Sequence, residues 1–261
     1  MRNLDKYKGV IPAFYACYDK EGNISPESVQ ALTKYFIEKG VKGVYVNGSS
    51  GECIYQSVED KKIVLENVMK AAEGKLTVIA HVACNNTKDS QELARHAESL
   101  GVDAIAAIPP IYFHLPEYAI AQYWNDISAA APNTDFVIYN IPQLAGVALT
   151  MNLFAEMRKN PRVIGVKNSS MPVQDIQMFK AVAGEDYVIF NGPDEQFMSG
   201  RVIGAEGAIG GTYGVIKAML KINEGLELGG VREPLPALIE SDMAIVEEAA
   251  KMVRDAKEKF L

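Results

Sequence analysis

Eight times along this chain, a short run of β-branched and small apolar residues gives way to a stretch whose apolar residues recur at helical spacing. The strand-like runs are Val10 to Tyr15, Gly43 to Val46, Thr77 to Ala80, Ala104 to Ile108, Asp135 to Tyr139, Arg162 to Lys167, Tyr187 to Asn191 and Gly207 to Gly210. The first helix is signalled at both ends: Ser25 as N-cap with Pro26 at the first helical position, and Gly40 as the stop. Further helices are expected over about Ser57 to Glu73, Lys88 to Leu100, Pro116 to Ala130, Met151 to Lys159, Val173 to Ala183 and Asp194 to Ile203. Short connections between alternating elements favour parallel strands, and eight such units predict an α/β fold of the (β/α)8 TIM-barrel class. An open doubly wound sheet shares the alternation, but no GxGxxG follows the first strand.

With 261 residues and 48% hydrophobic content, the chain is long enough to bury one large core. A net charge of -7 and the lack of basic clusters argue against nucleic acid or an anionic membrane as partner. Neither a signal-peptide core nor a run of about eighteen apolar residues occurs, so a cytoplasmic location is expected. Cys17, Cys53 and Cys84 are widely spaced and read as reduced, buried thiols. His81, His96 and His114 are too scattered to suggest a metal, and Met171, Met178 and Met198 read as packing residues.

Three strands end on reactive or polar groups. Arg162-Val163-Ile164-Gly165-Val166-Lys167 closes on a lysine, Asp135-Phe136-Val137-Ile138-Tyr139 on a tyrosine, and Gly43-Val44-Tyr45-Val46 runs into Asn47-Gly48-Ser49-Ser50-Gly51-Glu52. In a barrel these ends face one mouth, where active sites lie. A lysine among apolar strand residues loses solvation of its ammonium form, which frees the amine to attack a ketone. The resulting protonated imine is an electron sink. A neighbouring carbon-carbon bond can then break, provided a group such as Tyr139 carries the hydroxyl proton. Backbone N–H groups of the turn and the Ser49 and Ser50 hydroxyls suit the carboxylate of a 2-oxo acid. Each feature alone has a plainer reading: a snorkelling lysine, a half-buried tyrosine, an ordinary Gly-Ser loop.

With the three motifs in this order, the chain resembles the N-acetylneuraminate lyase and dihydrodipicolinate synthase family of pyruvate-dependent class I aldolases. The resemblance runs from about Val10 to Tyr213 and resumes at Gly229-Gly230-Val231-Arg232-Glu233-Pro234-Leu235. It implies that Lys167 forms a Schiff base with pyruvate, that Tyr139 shuttles the proton, and that Ser49 and Ser50 bind the pyruvate carboxylate. No organic cofactor or metal is implied, and the expected partners are a small 2-oxo acid sugar, pyruvate and further copies of the chain in the family's tetramer. Tyr112 is expected near a subunit interface, as in the synthase branch.

In the synthase branch the segment after the catalytic tyrosine carries an arginine for a second substrate carboxylate, whereas this chain has Leu144. Asn140-Ile141-Pro142-Gln143-Leu144-Ala145-Gly146 and Asn191-Gly192-Pro193-Asp194-Glu195 instead resemble the sialic acid lyases. That branch assigns Ser169, Gly192, Asp194 and Glu195 to the sugar hydroxyls; read without it, the two carboxylates are equally an acidic first helical turn. N-acetylneuraminate cleavage to pyruvate and N-acetylmannosamine is the activity implied. Another 2-oxo-3-deoxy sugar acid aldolase, a dihydrodipicolinate synthase and a non-catalytic pyruvate-binding barrel remain as alternatives. Gly211 stands where many sialic acid lyases have serine.

A larger departure follows the eighth strand. Thr212-Tyr213-Gly214-Val215 passes almost directly into Ile216-Lys217-Ala218-Met219-Leu220-Lys221-Ile222, so roughly thirty residues of the family pattern are missing. Residues 1–261 are therefore expected to form one barrel domain, of which about 216–261 is a shortened C-terminal helical segment. The stretch from Ile216 to Leu228 must either close the barrel as the eighth helix or leave strand eight partly uncovered.

Overall fold

The computed structural model describes residues 3–211 and 215–260. Eight parallel strands form the sheet: β1 (Gly9–Val10), β2 (Gly43–Val46), β3 (Thr77–His81), β4 (Ala104–Ala107), β5 (Asp135–Asn140), β6 (Val163–Asn168), β7 (Val188–Asn191) and β8 (Gly207–Ala208). Each strand from β2 to β8 pairs with its sequence neighbour, and β1 pairs with β8. Closure between β1 and β2 comes from the residues after β1: Ala13 bridges Tyr45 in parallel, Tyr45 N donates to Pro12 O at 2.9 Å, and Phe14 N donates to Tyr45 O at 2.9 Å. The result is a (β/α)8 barrel.

The helices are α1 (Pro26–Glu38), α2 (Val58–Ala72), α3 (Thr87–Ser99), α4 (Glu117–Ala130), the single turn α5 (Pro142–Ala145), α6 (Met151–Met157), α7 (Gln174–Ala183), α8 (Phe197–Val202), α9 (Val215–Glu224) and α10 (Glu240–Phe260). Local chemistry starts them as expected. Ser25 Oγ accepts from Ser28 N at 3.2 Å, and α2 has a reciprocal box in which Ser57 Oγ accepts from Asp60 N and Asp60 Oδ2 from Ser57 N. One core cluster lies between strands and helices, and a second fills the barrel interior with Ile11, Tyr45, Ile79, Val137, Ile164, Phe190 and Ile209 among others. Gly165 is held to its size by the sheet, since a Cβ there would overlap the Val188 carbonyl. Among the described residues no helix is long and apolar enough to cross a membrane.

Thr212, Tyr213 and Gly214, at the proposed junction, lie outside the described residues. α9 packs Ile216 and Leu220 on the outer core, while Glu224 pairs with Lys39 just past α1 at 3.1 Å and with Lys257 of α10 at 2.6 Å. The outer side of the β8–β1 seam stays partly open. Ile11 turns into the barrel, but its neighbour Val10 is 49% exposed and Val202 of α8 is 82% exposed. On α10, Ile245 and Met252 are likewise uncovered. Two sequence expectations are corrected. Met171, Met178 and Met198 are exposed rather than packed, and of the three free cysteines only Cys17 is fully buried, Cys53 and Cys84 being partly so.

Candidate active site

Lys167 and Tyr139 are direct neighbours across the β5–β6 ladder, and Asn140 faces Asn168 one step further on. Lys167 reaches the interior through an irregularity. Phe136 pairs with Val163 and Val137 with Gly165, so Ile164 is an extra residue on β6. Strict alternation from Ile164, which faces the barrel interior, would have sent Lys167 outward and Val166 inward. The extra residue reverses this, placing Val166 in the outer core and Lys167 inside.

Lys167 is 4% exposed and Tyr139 is 3% exposed. The Lys167 Nζ lies 3.8 Å from the centre of the Tyr139 ring, and the Tyr139 hydroxyl lies 3.4 Å from Ser49 Oγ. Ser49 to Gly51 form a single 3-10 turn between two left-handed residues, Asn47 at φ 60° and Glu52 at φ 55°. Ser50 Oγ donates to Gly211 O at 3.4 Å across the mouth. A cavity of about 220 Å³ opens over these groups, bordered by Ser49, Ser50, Tyr139 and Lys167. Ser169, Gly192, Asp194, Glu195 and Gly211 border it as well. Every residue read from the sequence as catalytic or substrate-binding therefore borders one cavity.

Backbone pairing sets this part of the wall. Ser169 N donates to Asn140 O and Gly192 N to Asn168 O, each at 2.8 Å, so the loops after β6 and β7 continue the strand register. A Cβ at Gly192 would overlap Ser169 Oγ, which ties the glycine to the serine beside it. Gly211 is looser, because a Cβ there would meet Ser50 Oγ at 3.1 Å and Ala13 Cβ at 3.2 Å. Tyr112 is placed elsewhere: it is 85% exposed and borders a different cavity of about 1080 Å³, together with Phe113 and Tyr118.

Four contributors carried no sequence signal of their own. Gln143 of α5 borders the cavity and donates to Ser169 O at 2.6 Å, and Met171 sits at the rim. Tyr45 lies behind the cavity wall, its ring centre 4.2 Å from Lys167 Nζ and edge-on to Tyr139. His81 lies against both rings. Its Nδ1–H donates to Asn47 O at 2.9 Å and its Nε2 accepts from Ile108 N at 3.3 Å, a pattern that fixes a neutral ring.

Burial, followed by the cations of Lys61 and Lys167, pushes His81 down to about 3 from an ordinary 6.5. Below 6.5 the unfolded chain takes up a proton that the folded ring refuses, so stability falls as pH drops toward 3. At pH 5 this single ring is expected to cost about 2 kcal/mol relative to pH 7. Urea midpoints at the two pH values check it, with His81→Gln expected to remove that part of the difference.

A model of the dihydrodipicolinate synthetase family matches residues 6–235. An N-acetylneuraminate lyase of Mediterraneibacter gnavus is 76% identical over an alignment of 305 positions, covering 100% of this chain and 97% of the relative. Since the chain contributes 261 residues, 44 of those positions lack a counterpart here. N-acetylneuraminate lyase 2 of Escherichia coli O6:H1 is 38% identical over 213 residues, covering 81% of this chain and 69% of that one. Among solved structures, a Ruminococcus gnavus sialic acid aldolase described as a catalytic lysine mutant superposes with a TM-score of 0.99 at 76% identity, covering 100% of both chains. With the barrel, the strand-end lysine and these relatives in agreement, the chain belongs to the dihydrodipicolinate synthetase family.

Proposed function

We propose that this chain is an N-acetylneuraminate lyase, a class I aldolase that reversibly cleaves its substrate to pyruvate and N-acetylmannosamine without an external cofactor. The observation that carries the reading is the placement of Lys167: buried at a strand end, paired across the ladder with Tyr139, and bordering a cavity that hydroxyl and carboxylate side chains also line. The Lys167 amine adds to the C2 ketone of the open-chain sugar acid, and water leaves to give the iminium. Tyr139 relays the C4 hydroxyl proton, passing on its own as it accepts the new one, the C3–C4 bond breaks, and its electron pair becomes the enamine as the aldehyde departs. Protonation at C3 and addition of water then release pyruvate and restore the amine.

Ser49, Ser50 and the turn's N–H groups hold the C1 carboxylate, leaving Ser169, the Gly192 backbone, Asp194 and Glu195 for the sugar hydroxyls. Backbone at Gly211, or water, would serve the hydroxyl that a serine binds in many relatives. Among the described residues bordering the cavity, Lys167 is the only cation, so a second substrate carboxylate has no partner. That disfavours the synthase reaction. Tyr112 and the exposed aromatic edge around it are proposed to meet another copy of the chain.

The direct test is to assay pyruvate release from N-acetylneuraminate alongside condensation of pyruvate with aspartate semialdehyde. Turnover of the first alone is expected. Turnover of the second alone overturns the assignment, and neither in a folded protein leaves a non-catalytic barrel.

A further inference from the structure

Schiff-base chemistry keeps a positive charge on a buried nitrogen, and something must stabilise that charge where water cannot. Among the described residues Lys167 Nζ has no ion pair and no hydrogen bond. It is instead flanked by two aromatic faces, Tyr139 at 3.8 Å and Tyr45 at 4.2 Å from nitrogen to ring centre. The two rings meet edge to face, 5.8 Å apart at 81°, so both can present a π surface to one nitrogen.

Tyr45 differs from Tyr139 in one respect. It is fully buried, and among the described residues it does not border the substrate cavity and its hydroxyl has no hydrogen-bond partner. A phenol placed in this way touches the reaction through its ring and not through its oxygen. We propose that Tyr45 is a further catalytic residue, whose ring face stabilises the positive charge of the iminium formed at the Lys167 nitrogen, in place of a carboxylate counter-ion. This rests on the Schiff-base reading of Lys167. A carboxylate at that place could take the proton itself, whereas a ring face stabilises the cation and accepts nothing. The iminium is thereby kept protonated, which is the form able to receive the electron pair when C3–C4 breaks.

Asp194 and Glu195 border the same cavity as Lys167, but neither forms an ion pair with it; the remaining titratable groups around the nitrogen leave this role to the rings. His81 packs against both rings and is neutral above about 3. The Cys53 thiol is held protonated by burial, with Lys61 and Lys167 acting in the opposite direction. Lys61 itself donates to Ala83 O at 3.2 Å and to Cys84 Sγ at 3.4 Å, adding positive charge that makes a second cation harder to hold.

The experiment places phenylalanine, then 3,4,5-trifluorophenylalanine, at position 45. Fluorines drain the ring face with little change of shape. Borohydride trapping of pyruvate on the native protein comes first: absence of an adduct sinks the Schiff-base reading, whatever Tyr45 does. With the adduct present, Tyr45→Phe is the reference for ring shape, and it is expected to raise the urea midpoint, because an unpartnered buried hydroxyl is removed. Relative to Tyr45→Phe, the trifluorinated ring is expected to lower kcat about tenfold at pH 8 and to move its alkaline limb to lower pH, since the iminium then loses its proton sooner. Equal kcat and pH profiles for the two substituted rings, both folded, would overturn the proposal.

Discussion

Changing Lys217 to methionine is expected to destabilise the folded chain by about 3–5 kcal/mol, the cost of leaving a buried carboxylate without its cation. Lys217 Nζ lies 2.8 Å from Glu52 Oε1 and also donates to Gly230 O at 2.7 Å, with both side chains nearly inaccessible to solvent. The other carboxylate oxygen accepts from Tyr18 OH at 3.0 Å and from Arg232 N at 2.8 Å. Glu52 thus accepts three hydrogen bonds, and one residue earlier in the chain is the Ser49–Gly51 turn. The network binds α9 and the Gly230–Arg232 segment to the proposed carboxylate cradle. Urea unfolding of Lys217→Met checks the prediction, and adding Glu52→Gln is expected to recover part of the loss. A loss under 1 kcal/mol would mean that α9 is not held to the barrel through this pair.

The second large effect concerns proton transfer. Tyr139→Phe is expected to lower kcat for N-acetylneuraminate cleavage by about 10²–10⁴-fold, the range for removing a positioned acid-base group. The ring face toward Lys167 survives the change, so borohydride trapping of pyruvate should continue. Steady-state kinetics together with trapping separates the steps. If kcat and trapping were lost equally, Tyr139 would be needed to form the imine rather than to move the C4 hydroxyl proton.

Much of this was legible in the chain itself, because strand ends are marked by the change from β-branched to polar residues. Lys167, Tyr139 and the Gly48–Glu52 turn were recognisable from their places at three such ends. What was not legible depends on pairing between distant segments. The extra residue Ile164 exists only relative to the Phe136–Val137 step of β5, yet it decides that Lys167 points inward. Tyr45 and His81 read as ordinary strand residues until the barrel closes them around the same nitrogen. Lys217 and Glu52 are far apart in sequence, and no local pattern announces their pairing. The methionines misled for a related reason: apolar spacing cannot say whether a covering element is present, and Met198 and Val202 of α8 have none among the described residues.

Intact mass and peptide mapping after borohydride treatment with pyruvate test the central assignment most directly, comparing the native chain with Lys167→Ala. A single reduced pyruvyl adduct on the peptide carrying Lys167, absent from the folded variant, is the predicted result. An adduct on another lysine, or none on a folded native chain, would contradict it.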